Sequence, residues 1–189
     1  VSDTSMGWWR MKLDQALQKM KVLYVEDEEI TQKLIKKLLS KYVGRIITAS
    51  NGEEGLALYI QEKPDLVITD LNMPLMDGMT MIQKIRELDS ECLVIIYSEL
   101  EDLEIVLKSV DIGIAKYWIK PLTEDEIVIS LQSLAVNFIK RHSEKLGYDN
   151  ILMLNRPEKL ELEEQIKKIL TGILKRRTGK GPMTIQVFV

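Results

Sequence analysis

Residues 67–78 read VITDLNMPLMDG, a short apolar run that ends on an aspartate and continues into a loop with a proline. The run predicts a buried strand, and Asp77-Gly78 closes the loop behind it. A carboxylate at the end of a buried strand is costly to desolvate unless partners compensate for the lost water. We therefore expect the rest of the chain to bring partners to Asp70.

Four further apolar runs of similar length are separated from this one by segments with helical periodicity. In chain order, the second to fourth of the five runs are apolar at consecutive positions. This pattern predicts burial on both faces, as in a parallel sheet between two helical layers. The five strand candidates are KVLYV (21–25), RIITA (45–49), DLVIT (65–69), CLVII (92–96) and KYWIK (116–120).

Between these strands, apolar residues recur at helical spacing and predict helix faces. Strand and helix alternate five times, so the predicted fold class is α/β, a doubly wound five-stranded parallel sheet of order 2-1-3-4-5. Thr123 and Glu126 have capping-box spacing for the helix after strand five. The helix faces are Ile30, Leu34, Leu38 and Tyr42; Met81, Ile85 and Leu88; and Ile127, Leu131, Leu134, Phe138 and Arg141.

Composition and charge limit the class of protein. The chain has 189 residues, of which 46% are hydrophobic, enough for a proper core. Its apolar runs are too short for a membrane span, and its single cysteine excludes an internal disulfide framework, so we expect a soluble cytoplasmic protein. Residues 140–189 carry 11 Lys or Arg against 6 Asp or Glu, but dispersed lysines usually form a solvated face, so nucleic-acid binding is not indicated.

Polar residues follow four of the five predicted strands, at the edge where open α/β sheets bind ligands. Three carboxylates there would repel one another by about 4 kcal/mol per close pair at an effective dielectric of about 20, and a divalent cation would relieve that repulsion. A site that offers a small number of hard oxygen ligands, with room for water and a phosphoryl group, suits Mg²⁺. Lys120 would offer a cation to the phosphoryl group, and Ser98 would offer a hydroxyl donor. Asp70 is the acid placed to be the nucleophile. The strand-end residues are Glu26, Asp27, Asp70, Ser98 and Lys120.

At these residues the chain resembles the receiver domain of bacterial two-component response regulators. The resemblance covers roughly residues 20–145 and consists of VLYVEDEE, VITDLNMPLMDG, IIYSE and YWIKP, in the order and spacing of the family. It implies phosphoryl transfer to Asp70 from a sensor histidine kinase or a phosphotransfer protein. It also implies Mg²⁺ held by Asp27, Asp70 and the backbone carbonyl of Asn72, with Glu26 assisting through metal-bound water.

The same resemblance implies a conformational switch. Ser98 and Tyr117 would reorient after phosphorylation and reshape the face made by the fifth strand and the helices on either side of it. In the family that face sets dimerisation or contact with an output partner. The protein would be a phosphoacceptor switch that slowly hydrolyses its own phosphoryl group, and not a metabolic enzyme.

Three residues depart from the family pattern: Glu99, Ser98, where threonine is commoner, and Asn72. Glu99 follows Ser98 where the family usually has a small residue, which keeps open a receiver-like interaction module that works without phosphorylation. Asn72 stands two residues after Asp70, at a position that faces attacking water in the family. A haloacid-dehalogenase-like phosphatase would place a second acid at Asn72, so that rival is disfavoured.

The predicted domains are an N-terminal extension over residues 1–20, a receiver domain over 21–145 and a helical extension over 146–189. The last segment is either a linker or the start of a truncated output domain. Apolar seams at 127–141 and 162–173 predict a homodimer. A connecting helix is predicted at 158–177 and a strand at 184–189.

Overall fold

The computed structural model of the chain describes residues 3–99 and 103–146, with side chains described at 10–99 and 104–139. The chain falls into two compact units, residues 1–139 and 140–189. Of the second unit, the described part is a helical segment at 140–146. The predicted elements at 158–177 and 184–189, and the seam at 162–173, lie outside the described residues.

Five short strands form a single parallel sheet, which confirms the predicted fold class. They are β1 (Lys21–Val25), β2 (Arg45–Ala49), β3 (Leu66–Thr69), β4 (Leu93–Ser98) and β5 (Lys116–Ile119). Their order is β2-β1-β3-β4-β5, which agrees with the predicted order. All four strand pairs are parallel, so the five carboxyl ends meet at one edge of the sheet.

Six helices flank or precede these strands within the described residues. They are α1 (Asp3–Leu17), α2 (Glu29–Leu39), α3 (Gly52–Glu62), α4 (Gly78–Leu88), α5 (Leu103–Asp111) and α6 (Glu124–Leu146). Across the described part of the chain, no helix has both the length and the apolar character that a membrane span requires.

Side-chain caps define where several helices begin. Asn51 caps α3 by accepting from the Glu54 N–H, and Thr123 with Glu126 forms the predicted capping box of α6. In that box the Thr123 N–H donates to Glu126 Oε2 at 3.0 Å, and the Glu126 N–H donates to Thr123 Oγ1 at 3.3 Å. The seam of α6 is buried at Ile127, Leu131, Leu134 and Phe138, while Arg141 lies outside the described side chains.

The sheet interior is formed by β1, β3 and β4, which are buried along nearly their whole length. The expectation that the second strand is equally buried is wrong, because only Ala49 at its end is fully covered. The strand order explains the difference, since β2 lies at the edge of the sheet and has a neighbour on one side only. An apolar run therefore indicates a strand without distinguishing an edge strand from a central one.

The burial of the apolar repeat on α2 also differs from what the sequence predicts. Ile30 is 69% exposed and Leu34 is 63% exposed, whereas Leu39, outside the predicted repeat, is buried. Tyr42 lies beyond the end of the helix. The helix therefore turns a different stripe toward the sheet, and part of its apolar surface stays open to solvent. On α4, Met81 and Ile85 are buried as expected while Leu88 is 59% exposed.

Helix α1 lies outside the predicted receiver domain but packs against the body of the first unit. Its last turn and the following connection bury Ala16, Leu17 and Met20. The Gln18 side chain donates to the backbone carbonyls of Lys41 and Tyr42 at 3.4 and 3.1 Å. These contacts tie α1 to the connection between α2 and β2.

Candidate functional site

Three carboxylates meet at the carboxyl edge of the sheet. Glu26 follows β1 and is 1% exposed, Asp70 follows β3 and is 8% exposed, and Asp27 is exposed. Parallel pairing sets Val25 beside Thr69, so the next residue of each strand emerges at the same edge. One oxygen from each of the three carboxylates lies within 4.8 Å of the others.

Backbone hydrogen bonds hold the two buried acids in place. The Asp70 N–H donates to the Val25 carbonyl at 2.9 Å, and the Glu26 N–H donates to the Ala49 carbonyl at 3.0 Å. The Leu71 N–H donates to Asp70 Oδ1 at 2.6 Å. Each strand ladder thus continues into its acid, which fixes the position of the carboxylate before any ligand arrives.

Lys120 reaches this cluster from the end of β5. Its N–H donates to the Ser98 carbonyl at 2.9 Å, which joins the ends of β4 and β5. Its Nζ lies 2.8 Å from Glu26 Oε2 and 2.8 Å from Asp70 Oδ2. The ammonium group also lies 5.3 Å from the ring centre of Tyr97, within the range of a cation–π interaction.

Burial and charge shift the pKa values of this group in identifiable directions. Burial raises the pKa of Glu26, and the hydrogen bonds from Lys120 and Tyr24 offset only part of that shift. Burial lowers the pKa of Lys120, but its hydrogen bonds to Asp70 and Glu26 outweigh that effect and leave the pKa above its ordinary value. Lys120 therefore stays a cation.

Tyr24 is a further buried neighbour of Glu26. It is the fully buried next-to-last residue of β1, and its hydroxyl donates to Glu26 Oε2 at 2.9 Å. Burial, followed by the charge and hydrogen bond of Glu26, raises the pKa of Tyr24 far above its ordinary value. The hydroxyl therefore keeps its proton and acts as a hydrogen-bond donor to this carboxylate.

The loop after Asp70 depends on two close backbone approaches. A methyl group on Gly78 would overlap the carbonyl oxygen of Asp70, and the Gly78 N–H donates to the Leu71 carbonyl at 2.9 Å. The Gly52 N–H donates to the Met76 carbonyl at 3.0 Å, which fastens the loop to the start of α3. Leu75, at a positive φ of 67°, completes the turn. The loop is thus held firmly behind the acidic cluster.

The remaining predicted residues lie at the same edge or just behind it. Ser98 is 1% exposed at the end of β4, and Tyr117 is half-buried in β5, packed against the main core cluster. Asn72 and Glu99 are exposed in the connections that follow β3 and β4. The fold therefore brings Glu26, Asp27, Asp70 and Lys120 into one cluster, with Ser98 bonded through its backbone to Lys120.

This set of donors fits a small divalent cation. Three carboxylates and one ammonium leave a formal net charge of −3 + 1 = −2 at the cluster. The ligand atoms are all oxygens, which are preferred by hard cations such as Mg²⁺. Asp27, the exposed member, leaves the cluster open to solvent on one side.

Sequence reasoning missed Tyr24 and Tyr97, and it predicted Gly78 only as the end of the loop and not as a close neighbour of Asp70. Tyr24 precedes Glu26 by two positions, and Glu26 continues the ladder of β1, so that this spacing places both side chains on the same face. That spacing was an available signal for the contact. The role of Gly78 had no local signal, because its constraint comes from the backbone of Asp70 across the loop.

Comparison with known proteins gives a family match. The model of the response regulator receiver domain matches residues 22–132. A probable transcriptional regulator ycf27 of Guillardia theta is 36% identical over 116 residues, which are 61% of this chain and 45% of that protein. The chain spans about half the length of this relative and of several other curated relatives that it matches.

Two further comparisons extend the match. A probable C4-dicarboxylate response regulator DctR of Priestia megaterium is 32% identical over 162 residues, 82% of this chain and 70% of that protein. The crystal structure of a CheX-CheY-BeF3-Mg²⁺ complex from Borrelia burgdorferi contains a chain that is 30% identical, with a TM-score of 0.58. The alignment covers 61% of this chain and 88% of that one. Because the family model matches and the sheet order agrees with it, the chain belongs to the response regulator receiver domain family.

Proposed function

We propose that the protein is a phosphorylation-operated switch in which Asp70 accepts a phosphoryl group in the presence of Mg²⁺. The donor is the phosphohistidine of a sensor histidine kinase or of a phosphotransfer protein. The observation that carries the proposal is the cluster of Glu26, Asp27 and Asp70 within 4.8 Å, with Lys120 Nζ at 2.8 Å from the first and the last.

In the proposed reaction an oxygen of the Asp70 carboxylate attacks phosphorus. A P–O bond forms, the P–N bond to the donor histidine breaks, and the histidine nitrogen leaves with the electron pair. Lys120, already at 2.8 Å from Asp70 Oδ2, is placed to donate to a phosphoryl oxygen as negative charge arrives. The later return to the resting state is hydrolysis of the aspartyl phosphate by water.

Asp27, Asp70 and the backbone carbonyl of Asn72 would hold Mg²⁺, with Glu26 assisting through bound water. The cation would supply charge neutralisation between the carboxylates and the phosphoryl oxygens. The formal charge of −2 at the cluster supports a divalent ion. The Borrelia burgdorferi CheY complex with BeF3 and Mg²⁺ supports the choice of this cation.

The phosphoryl group would add charge and acceptor oxygens at one point and so favour a different arrangement of nearby donors. Ser98 and Tyr117 are the proposed switch residues, because Ser98 lies at the edge of the site and Tyr117 is half-buried in β5. The responding face consists of α5, β5 and α6. Leu107 and Val110 on α5 are 56% and 61% exposed, which supports a homodimer or an output partner at this face.

The test is phosphoryl uptake measured by intact mass. The protein is incubated with Mg²⁺ and a small acyl phosphate, and we expect a gain of one phosphoryl group. Asp70→Asn and omission of Mg²⁺ should each abolish the gain. Asp77→Asn is the matched control, because it makes the same change in the same loop outside the acidic cluster and keeps a side chain that can cap α4.

A folded protein that gains no mass with Mg²⁺ present would overturn the proposal. In that case the phosphorylation-independent interaction module becomes the better interpretation, and the exposed Glu99 beside Ser98 supports it. The domain boundaries at residues 20 and 145, and a cytoplasmic location, stay predictions.

A further inference from the structure

The contact between Tyr24 and Glu26 joins a core residue to the acidic cluster. Tyr24 is fully buried, and its ring fills the space beside β1 that a phenylalanine would fill equally well. The hydroxyl adds nothing to apolar burial, and a buried hydroxyl without a hydrogen bond would cost free energy. Its partner is Glu26 Oε2, at 2.9 Å.

Glu26 Oε2 accepts a second hydrogen bond at the same time. Lys120 Nζ donates to this same oxygen at 2.8 Å. Two donors on one carboxylate oxygen fix the rotation of the carboxylate, and they leave Oε1 without a hydrogen bond from either of them. Tyr24 and Lys120 thus hold the carboxylate in one orientation.

Lys120, the second donor to this carboxylate, lies beside an aromatic pair. Lys120 Nζ lies 5.3 Å from the ring centre of Tyr97, and Tyr97 meets Trp118 in an edge-to-face contact with a 6.1 Å separation of ring centres. Aromatic side chains have few rotatable bonds, so they make a rigid support. The orientation of Glu26 is therefore set by Tyr24 and by a lysine that itself lies beside two aromatic rings.

We propose that Tyr24 is a positioning residue whose hydroxyl orients Glu26 toward the bound cation and thereby sets the affinity of the site for Mg²⁺. The inference rests on the proposed function, since it concerns the same metal site. Groups that orient metal ligands typically change metal affinity by about 10- to 100-fold when they are removed. Because Glu26 would act through water, we expect a change in Mg²⁺ affinity at the lower end of this range, about tenfold.

The test compares Tyr24→Phe with Tyr59→Phe by isothermal titration calorimetry with Mg²⁺. Tyr59 is a matched control, because it is also buried and its hydroxyl also meets a carboxylate, that of Asp89 at 3.1 Å. We expect Tyr24→Phe to weaken Mg²⁺ binding about tenfold and Tyr59→Phe to leave it unchanged. Saturating Mg²⁺ should restore the phosphoryl uptake rate of Tyr24→Phe. A merely structural role would not produce this combination of weaker Mg²⁺ binding and a normal rate at saturating Mg²⁺.

A double-mutant cycle tests whether Tyr24 acts through Glu26. Tyr24→Phe should weaken Mg²⁺ binding less in a Glu26→Gln background than in the wild type, because the oriented charge is already gone. An equal effect in both backgrounds would overturn the proposal.

Other outcomes are equally decisive. Wild-type Mg²⁺ affinity in Tyr24→Phe overturns this inference alone and leaves the phosphoacceptor switch in place. A Tyr24→Phe variant that no longer folds, beside a folded Tyr59→Phe, assigns the hydroxyl to stability and also overturns it. A wild-type protein that neither binds Mg²⁺ nor takes up phosphoryl overturns the proposed function itself, together with this inference.

Discussion

Gly78 lies so close to Asp70 that no side chain fits between its Cα and the Asp70 carbonyl oxygen. The first residue of α4 is thereby packed directly against the backbone of the central acid. The contact explains why a loop of six intervening residues, 71–76, followed by the cap Asp77, returns to the strand end that it left.

We predict that Gly78→Ala destabilises the protein by about 1–3 kcal/mol, the usual cost of forcing an extra methyl group into a packed site. It should also slow phosphoryl uptake, because the carbonyl that must move belongs to Asp70. Chemical denaturation and intact mass measure the two effects. Gly44→Ala is the control, since a methyl there would overlap the Gln18 backbone, remote from the acids. Equal uptake by the two variants would contradict the prediction.

Removal of the Lys120 ammonium should leave two buried carboxylates without their shared cation. For Lys120→Met we expect a loss of about 3 kcal/mol in the free energy of unfolding without Mg²⁺, since breaking a buried ion pair costs about 3–5 kcal/mol. Added Mg²⁺ should recover part of the loss. Urea denaturation with and without Mg²⁺ checks both statements.

The matched variant for this experiment is Lys41→Met. Lys41 Nζ is 2.9 Å from Glu124 Oε1, but the two side chains are 53% and 45% exposed. Exposed pairs contribute less than about 1 kcal/mol, and we expect no influence of Mg²⁺ on this one. Similar losses for the two lysine variants would mean that the pairs at the acidic edge are no stronger than a surface pair.

Asp77 gives a pH-dependent prediction. Its Oδ1 accepts from the Thr80 N–H at 2.8 Å and its Oδ2 from the Thr80 hydroxyl at 2.8 Å. Partial burial raises the pKa of Asp77, but these hydrogen bonds outweigh burial and leave the pKa below its ordinary value. The cap should therefore stabilise the fold fully above the unfolded pKa of about 3.9, and progressively less as the pH falls through the folded pKa.

Asp77→Ala should accordingly cost about 1 kcal/mol at pH 7, and this cost should shrink below about pH 4. Thermal unfolding between pH 7 and pH 3 measures the cost. Asp77→Asn supplies the comparison, because asparagine caps a helix without titrating. A cost that grows toward low pH would contradict the assigned direction of the pKa shift.

Helix α1 should contribute to the stability of the first unit. Leu17 is 1% exposed, and its truncation in Leu17→Ala should cost about 2–5 kcal/mol, as in other buried large-to-small changes. Met11→Ala on the same helix is the control, since Met11 is 47% exposed and should cost less than about 0.5 kcal/mol. Chemical denaturation of both variants tests whether α1 is part of the folded unit.

The sheet could be predicted because its information is local. Each strand is a short apolar run, each connection contains a helical repeat, and a right-handed crossover leaves few arrangements for such an alternation. The alternation predicts a parallel sheet, and the carboxyl ends of parallel strands share one edge, where Glu26, Asp70, Ser98 and Lys120 lie. Local patterns of two to four residues are enough for these features.

Only the tertiary structure decided which surfaces are covered and which groups touch. The apolar repeat of Ile30 and Leu34 remains exposed, because the rotation of α2 depends on packing against the sheet. The Lys120 ammonium shared by two acids and the backbone contact of Gly78 with Asp70 are contacts between groups that only the fold brings together. Hydrogen bonds and steric overlap act over a few ångströms, so these relations are determined only when the folded chain brings the groups together.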